Sequence, residues 1–194
     1  MSRFSVTYII LLILLAVNIS GCNKDPDTEP EKYRSAEDVS RFLKEHYFEV
    51  SDLPASIADF EYTLLNGGKE QFSSNRENVI LLNFWATWCY PCQKEMPDMQ
   101  KLMHEMKGEH FRILAVNYGE NSDKVNRFIQ KLHYTFDVVT DTDKKISGKL
   151  NIKGLPTTVV IDKKGRILGK LVGPTNWSKK AFLKFFKTLS RKQP

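Results

Sequence analysis

A nearly continuous apolar run from Val79 to Trp85 restricts the fold of this chain more than any other feature. A strand without a polar face needs cover on both sides, as in parallel sheets that are flanked by helices. Helical spacing follows from Cys89 to Met106, and a short apolar run from Phe111 to Val116 predicts a second buried strand. Strands that alternate with helices predict an α/β fold, in which a mixed sheet has helices on both faces.

The remainder of the chain extends this sheet in both directions. Ser35 followed by Asp38 predicts the start of an N-terminal helix, since a side-chain oxygen can cap exposed backbone N–H groups. The alternation from Phe60 to Leu64, followed by Asn66-Gly67-Gly68, predicts a hairpin. Further along, the patterns predict a helix capped by Ser122 with Val125, Phe128, Ile129 and Leu132 on its apolar face, a strand from Phe136 to Thr140, a short helix from Lys144 to Leu150, strands from Thr157 to Ile161 and from Arg166 to Val172, and a last helix from Ser178 to Leu189.

The first residues of the chain are typical of an export signal. In residues 1–21 the only charged side chain is Arg3, and the apolar stretch from Tyr8 to Val17 has ten residues. A membrane-spanning helix needs roughly 20 apolar residues, whereas a stretch of about ten fits the apolar part of a signal peptide. The following Ile19-Ser20-Gly21-Cys22 resembles the bacterial lipobox, which implies cleavage before Cys22 and lipidation of its thiol. The alternatives are a plain signal peptide and an uncleaved anchor.

These features divide the chain into four parts. Residues 1–21 are predicted to be a signal peptide, residues 22–34 a polar tether, residues 35–52 an N-terminal helical extension and residues 53–194 the main domain. The tether contains two prolines and too few apolar residues to fold alone. This organisation predicts a lipid-anchored protein of the cell envelope that faces the periplasm or another extracytoplasmic space.

Two cysteines stand between the first buried strand and its helix, in Trp88-Cys89-Tyr90-Pro91-Cys92. Thiols separated by two residues at a helix start can close a disulfide with little movement of the backbone. Unpaired N–H groups at the helix N-terminus stabilise a thiolate, and the thiol pKa in such motifs falls to roughly 3.5–7.5. Cys89 is therefore the predicted nucleophile, and Cys92, one turn inside the helix, is the predicted resolving thiol.

Three groups of residues together resemble the thioredoxin superfamily. They are Asn83-Phe84-Trp85-Ala86-Thr87-Trp88-Cys89-Tyr90-Pro91-Cys92, then Glu95 with Pro97, and then Gly154-Leu155-Pro156-Thr157-Thr158. The resemblance covers about Leu53 to Leu189 and points to the TlpA/ResA-like branch of membrane-anchored thiol:disulfide oxidoreductases. It implies a thioredoxin-like mixed sheet in residues 53–194, to which the N-terminal helix and hairpin are an extension, and it implies protein disulfides as substrates.

The resemblance also implies roles for residues close to the cysteines. Pro156 is implied to be a cis proline that lies against them, and the backbone of Leu155 is implied to pair with an incoming substrate segment. An X–Pro bond is the one bond type at which a cis peptide has a small energetic penalty. Trp88 and Tyr90 are candidate substrate-binding residues; the alternatives are partial burial of Trp88 in the core and no specific role for Tyr90.

Glu95 is a candidate acid–base residue. It lies three residues after Cys92, so a helix brings both side chains to the same face. The resemblance implies that Glu95 assists proton transfer, whereas an acid in the first helical turn can also serve only the helix dipole. Thioredoxins proper usually carry a buried Asp at the position of Asn83, and an Asn side chain cannot take a proton, so Asn83 is expected to be a hydrogen-bonding core residue.

Together these features predict a thiol:disulfide oxidoreductase that acts in the reducing direction and uses no cofactor besides the redox-active Cys89–Cys92 pair. Tyr90-Pro91 places no cation between the cysteines that would stabilise the thiolate and favour an oxidant. The resemblance adds cytochrome c maturation as a role and a membrane electron donor of the thioredoxin-reducing type. A monomer is expected, and no nucleic acid is expected as a partner. The alternatives are a disulfide oxidase or isomerase, and a lipoprotein whose dithiol binds and delivers copper.

Metal binding is not favoured by the spacing of the other soft ligands. On one helix, His104 would stand about 18 Å from Cys92 at 1.5 Å per residue, too far to close a zinc site. The repeat of Met96, Met99, Met103 and Met106 could supply thioethers to Cu(I), but this spacing is more typical of the buried face of a helix. The sequence therefore predicts no metal site.

Charge is distributed unevenly along the chain. Residues 144–194 contain fourteen Lys or Arg and one acidic residue, within a net charge of +6 for the whole chain. Such a region could face anionic lipid or an acidic protein, and it could equally consist of ordinary solvated helix faces. The sequence leaves both explanations open.

Overall fold

A computed structural model describes Tyr33, residues 35–50 and residues 55–191 of the chain. The predicted signal peptide, the predicted lipidation site Cys22 and most of the tether lie outside these described residues. Within the described ranges, no helix has the length and apolar character that crossing a membrane requires.

Strands and helices follow one another along the described residues in the predicted order. The strands are β1 (Glu61–Leu64), β2 (Lys69–Gln71), β3 (Val79–Trp85), β4 (Phe111–Tyr118), β5 (Asp137–Asp141), β6 (Thr157–Ile161) and β7 (Ile167–Val172). The helices are α1 (Ala36–Glu45), α2 (Tyr90–Glu105), α3 (Ser122–Ile129), α4 (Lys145–Lys149) and α5 (Lys180–Arg191), and a 3₁₀ turn from Phe72 to Asn75 follows β2.

The strands form one mixed sheet with the order β2-β1-β5-β4-β3-β6-β7. Strands β3, β4 and β5 run parallel, whereas β6 pairs antiparallel with β3, and β1 pairs antiparallel with β5. Strand β3 lies between β4 and β6, and every residue of it is buried. The prediction of a strand covered on both faces is confirmed, and so is the thioredoxin-like mixed sheet.

Side chains on the two faces of the sheet form two separate apolar cores. Alternate residues of β3 take part in each: Leu81 and Trp85 belong to the first core, and Ile80 and Phe84 to the second. Apolar residues of α1, α2 and α5 complete the first core, whereas Ile146 of α4 packs in the second. Helices therefore lie on both faces, as predicted.

The methionine stripe of α2 belongs to the first core. Met96, Met99 and Met106 are buried there, and Met103 packs against the same core while partly exposed. The prediction that this stripe serves core packing is confirmed.

Helix α1 begins at the predicted position, and its first turn forms a capping box. The Ser35 hydroxyl accepts a bond from the backbone N–H of Asp38 at 3.0 Å, and the Asp38 carboxylate accepts one from the backbone N–H of Ser35 at 3.4 Å. On the buried face, the ring of Phe42 stacks on Phe185 of α5 with 4.3 Å between centroids. The N-terminal helix therefore packs on the first core next to the last helix.

Helix α3 differs from the sequence prediction at both ends. Asn121, rather than Ser122, caps it: the Asn121 side-chain oxygen accepts a bond from the backbone N–H of Asp123 at 2.8 Å. The helix ends at Ile129, and Leu132 lies beyond it with 37% of its surface exposed. Asn and Ser cap helices about equally well, so residue type does not favour Ser122 over the preceding Asn121.

Candidate active site

The cysteine motif lies at the end of the most buried strand. Strand β3 ends at Trp85, and α2 begins at Tyr90 with Cys89 as its N-cap residue. Cys89 and Cys92 form a disulfide in which the two Cα atoms are 5.3 Å apart. The backbone N–H of Cys92 donates a hydrogen bond to Sγ of Cys89 at 3.3 Å. A negative charge on this sulfur would therefore meet both a hydrogen-bond donor and the positive end of the helix dipole.

The two cysteines differ in exposure. Cys89 keeps 4% of its surface exposed, and Cys92 keeps none. The flanking rings of Trp88 and Tyr90 are 64% and 65% exposed, and Lys94 Nζ lies 5.1 Å from the centre of the Tyr90 ring. Partial core burial of Trp88 is therefore wrong. Cys89 is the more exposed of the two cysteines and has an exposed aromatic residue on each side of it in the sequence.

The Leu155–Pro156 segment reaches the same edge of the sheet. The Leu155–Pro156 peptide bond is cis. Phe84 pairs with Thr157 across β3 and β6, so Pro156 comes next to the end of β3 from which the cysteine loop leaves. The carbonyl oxygen of Pro156 accepts a bond from the backbone N–H of Gly173 at 2.8 Å. The cysteine motif and the Leu155–Pro156 segment, which lie more than sixty positions apart in the sequence, are thus placed at the same end of β3.

Glu95 is buried on the first turns of α2, with 3% of its surface exposed. Its Oε1 accepts a hydrogen bond from Asn83 Nδ2 at 2.9 Å. Its Oε2 accepts two, from the backbone N–H of Thr175 and from Trp177 Nε1, both at 3.1 Å. Burial raises the pKa of Glu95 to about 7, while the bonds from Thr175, Asn83 and Trp177 oppose part of this rise. Glu95 can therefore gain or lose a proton near neutral pH.

Asn83 connects this carboxyl group to strand β6. The Asn83 amide nitrogen donates to Glu95 Oε1 and to the hydroxyl of Thr158, each at 2.9 Å, while its Oδ1 has no hydrogen-bond partner among the described residues. Rotating the amide by half a turn would present Oδ1 to a protonated Glu95, because the amide offers a donor on one side and an acceptor on the other. Asn83 is a buried hydrogen-bonding residue, as predicted.

The comparisons with known proteins agree with this geometry. The AhpC/TSA family matches residues 54–169, which is more than half of the chain. The chain belongs to this thioredoxin-like family. It is 39% identical over 119 residues to the thiol-disulfide oxidoreductase ResA of Geobacillus kaustophilus, a match that covers 61% of this chain and 68% of the relative.

Solved structures of related proteins share the fold. The chain is similar to a putative thiol:disulfide interchange protein DsbE from Chlorobium tepidum, with a TM-score of 0.64 and 27% identity over 71% of this chain and 98% of that one. It is also similar to the pneumococcal exposed lipoprotein thioredoxin Etrx1 from Streptococcus pneumoniae, with a TM-score of 0.59 and 28% identity over 68% of this chain and all of that one. With its Cys89–Cys92 disulfide at the helix start, this member of the AhpC/TSA family is a thiol-disulfide oxidoreductase.

Two parts of this oxidoreductase site were not anticipated from the sequence. Thr175 and Trp177 bond Glu95 from a loop that lies about eighty residues further along the chain. The buried carboxylate of Glu120 binds the loop before the cysteines, since it accepts bonds from the backbone N–H and the hydroxyl of Thr87. No local pattern indicates either contact, because both depend on loops that only the sheet topology brings together.

Proposed function

We propose that this oxidoreductase reduces protein disulfides outside the cytoplasmic membrane, where a lipid on Cys22 anchors it. The observation that carries the proposal is the position of the Cys89 sulfur. It lies at the N-terminus of α2 and accepts a bond from the Cys92 N–H, in a residue that keeps 4% of its surface exposed and is flanked in the sequence by the exposed Trp88 and Tyr90. This arrangement favours attack by a Cys89 thiolate on a polypeptide that covers the surface.

The proposed reaction transfers two electrons from the dithiol to the substrate. The Cys89 thiolate attacks one sulfur of a substrate disulfide, a mixed disulfide forms, and the other substrate sulfur leaves as a thiolate that takes up a proton. Cys92 then loses its proton and attacks Sγ of Cys89. The Cys89–Cys92 bond forms, and the second substrate sulfur leaves as a thiolate.

Glu95 is proposed to carry the proton that Cys92 must lose. It is buried on the same helix, three residues after Cys92, and its pKa of about 7 lets it accept and release a proton near neutral pH. Trp88, Tyr90 and the backbone of Leu155 are proposed to contact the substrate segment. This proposal is supported by the register of β3 and β6, which brings the residues before Thr157 to the end of β3 from which the cysteine loop leaves.

The reducing direction is supported by the residues between the cysteines. Tyr90 and Pro91 supply no positive charge that would stabilise the thiolate and so make the disulfide a stronger oxidant. A reductant in an oxidising compartment needs a source of electrons, which we propose to be a membrane donor of the thioredoxin-reducing type. Apocytochrome c is one proposed target, which would place the protein in cytochrome c maturation.

The proposed location is supported by the N-terminal sequence and by one relative. Ile19-Ser20-Gly21-Cys22 resembles a lipobox after a short apolar segment, and the similar Etrx1 is described as an exposed lipoprotein. We propose a monomer, because one chain supplies every residue of the proposed mechanism. Mass spectrometry of the membrane-extracted protein would show an acylated Cys22 as its first residue, and an unmodified Cys22 would contradict the anchor.

The reduction potential of the Cys89–Cys92 pair tests the direction. A value well below roughly −200 mV supports a reductant, whereas a value near −120 mV would show a strong oxidant. The reduced protein should also reduce insulin disulfides, and Cys89→Ser should not. A titration with Cu(I) against a chelator tests the copper alternative, which tight stoichiometric binding together with negligible insulin reduction would favour.

A further inference from the structure

The indole of Trp177 is buried in the core, and its nitrogen donates a hydrogen bond to the carboxyl group of Glu95, the proposed proton carrier. Trp177 is fully buried in the loop between β7 and α5, and its ring lies 5.1 Å from that of Phe182 and 6.3 Å from that of Phe48, between centroids. Its Nε1 donates to Glu95 Oε2 at 3.1 Å. Since an indole nitrogen can only donate, and packing fixes the ring, this atom offers Glu95 a donor that cannot reorient.

The same loop also forms a hydrogen bond with the Leu155–Pro156 segment. Gly173, with φ of +109°, donates its backbone N–H to the carbonyl oxygen of Pro156 at 2.8 Å. Two residues later, the N–H of Thr175 donates to Glu95 Oε2 at 3.1 Å. One short segment, residues 173–177, therefore donates hydrogen bonds both to the Glu95 carboxyl group and to the Pro156 carbonyl group.

The groups that bond Glu95 are all neutral. Strands β3 and β6 and residues 173–177 contain no charged residue. On α2 and at its N-cap, the titratable groups nearest in sequence are the two cysteines, which are joined as a disulfide, the exposed Tyr90 and Lys94, and Asp98, which pairs with Lys101. Hydrogen bonds, rather than ion pairs, are therefore what opposes the effect of burial on this carboxyl group.

We propose that Trp177 is a positioning residue that holds Glu95 Oε2 through its indole N–H and thereby sets the pH at which the carboxyl group exchanges its proton. The catalytic relevance of this positioning rests on the proposed role of Glu95 in proton transfer. The bond from Nε1 favours the charged carboxylate over the neutral acid, because a carboxylate is the better acceptor. Without this donor, Glu95 keeps its proton to a higher pH.

The chain offers a matched control for the loss of one indole N–H. Trp85 is also fully buried, and its Nε1 has no hydrogen-bond partner among the described residues. Trp177→Phe and Trp85→Phe each remove one buried indole and keep an aromatic ring. They differ in that Trp177→Phe also removes a donor to Glu95.

The direct test is an NMR titration of the ¹³C-labelled Glu95 carboxyl group in the oxidised full-length protein, in which the two cysteines do not titrate. We expect the midpoint of Trp177→Phe to rise by roughly one pH unit relative to wild type, since each donor to a carboxylate lowers its pKa by an amount of this order. The Trp85→Phe midpoint should match wild type. Equal midpoints in Trp177→Phe and wild type would overturn the proposal.

A second variant keeps the test informative if Trp177→Phe does not fold. Benzothienylalanine at position 177 retains both rings and replaces the N–H by sulfur, so the same upward shift is expected with less change in packing. An unshifted midpoint in this variant would overturn the proposal equally.

Turnover separates this proposal from the role of Glu95 itself. The pH profile of insulin reduction should contain a step at the pH where Glu95 ionises. Glu95→Gln should remove this step, whereas Trp177→Phe should only move it to a higher pH. If Glu95→Gln removes the step and both position-177 variants leave it in place, the positioning role fails and the proton-transfer role stands. If Glu95→Gln leaves the profile unchanged, the proton-transfer role fails, and the NMR titration still decides whether Trp177 holds the carboxyl group.

Discussion

The carboxylate of Glu120 accepts two hydrogen bonds from Thr87, one from the backbone N–H and one from the hydroxyl, each at 2.6 Å. Glu120 is 7% exposed and lies just after β4, whereas Thr87 lies in the loop that leads from β3 to Cys89. Asn117 and Lys124 complete the set of donors, at 2.9 and 2.7 Å. One buried carboxylate therefore holds the start of the cysteine loop against the neighbouring strand.

Replacement of this carboxylate should destabilise the protein. Glu120→Ala leaves the N–H of Thr87 and the amide of Asn117 without their acceptor, and we expect a loss of roughly 3 kcal/mol in the free energy of unfolding. Urea denaturation measures this loss. Lys124→Met is the control, because the exposed Lys124 ammonium should contribute at most about 1 kcal/mol. Equal losses in the two variants would show that the ion pair, rather than the bonds to Thr87, makes the contribution.

The same carboxylate should make stability depend on pH in the acid range. Burial alone would raise the pKa of Glu120, but bonds from Lys124, Thr87 and Asn117 lower it from 4.5 to about 2. A depressed pKa in the folded state means that the contribution is complete above pH 4.5 and is lost as the pH falls towards 2. The difference in unfolding free energy between wild type and Glu120→Gln should therefore be constant from pH 6 to 8 and shrink below roughly pH 4.5. A difference that stays the same down to pH 2.5 would contradict the low pKa.

Glu95 should show the opposite dependence on pH. Its pKa rises from 4.5 to about 7 on folding, so folding favours the neutral acid. The contribution of the neutral acid is complete below pH 4.5 and is lost as the pH rises through about 7. Glu95→Gln cannot ionise, so its unfolding free energy relative to wild type should increase between pH 4.5 and 8. Chemical denaturation at fixed pH values measures this trend, and a flat difference would place the Glu95 pKa near its ordinary value.

The sequence could predict the features that depend on local patterns. The apolar run of β3, the hairpin after Phe60 and the capping box at Ser35 are each encoded within a few residues, and the structure contains all three. The cysteine motif is also local, and its position between β3 and α2 follows from the two patterns on either side.

The features that the sequence could not predict depend on distant residues. Trp177 reaches Glu95 across 82 positions, and Glu120 reaches Thr87 across 33. The sequence around Trp177 contains no motif that indicates a role, because a buried tryptophan before a helix is typical of an ordinary core residue. Only the structure shows that its indole nitrogen donates to a carboxyl group. The position of its partner depends on the order of β3, β6 and β7 in the sheet, which no short segment determines.

The two cysteines should behave differently when each is replaced. Cys89 caps α2 and keeps the exposed edge of the pair, whereas Cys92 is fully buried. Cys89→Ser should abolish insulin reduction, and Cys92→Ser should accumulate mixed disulfides, because no thiol remains to release the bound substrate. Non-reducing electrophoresis after incubation with oxidised insulin detects the adduct. Adducts on Cys89→Ser instead of Cys92→Ser would reverse the roles of the two thiols.

A positive charge between the cysteines should make the pair more oxidising. Tyr90 is 65% exposed beside Cys89, so Tyr90→His can present an imidazolium to the Cys89 thiolate without disturbing the core. Stabilising the thiolate stabilises the reduced form, and a gain of about 1.4 kcal/mol corresponds to roughly 30 mV for this two-electron couple. We therefore expect the reduction potential of Tyr90→His to rise by on the order of 30 mV at pH 6, and by less at pH 8, where the imidazole is neutral. Tyr90→Phe keeps a ring without a charge and should retain the wild-type potential. Equal potentials in Tyr90→His and Tyr90→Phe at both pH values would show that the residues between the cysteines do not set the direction of the reaction.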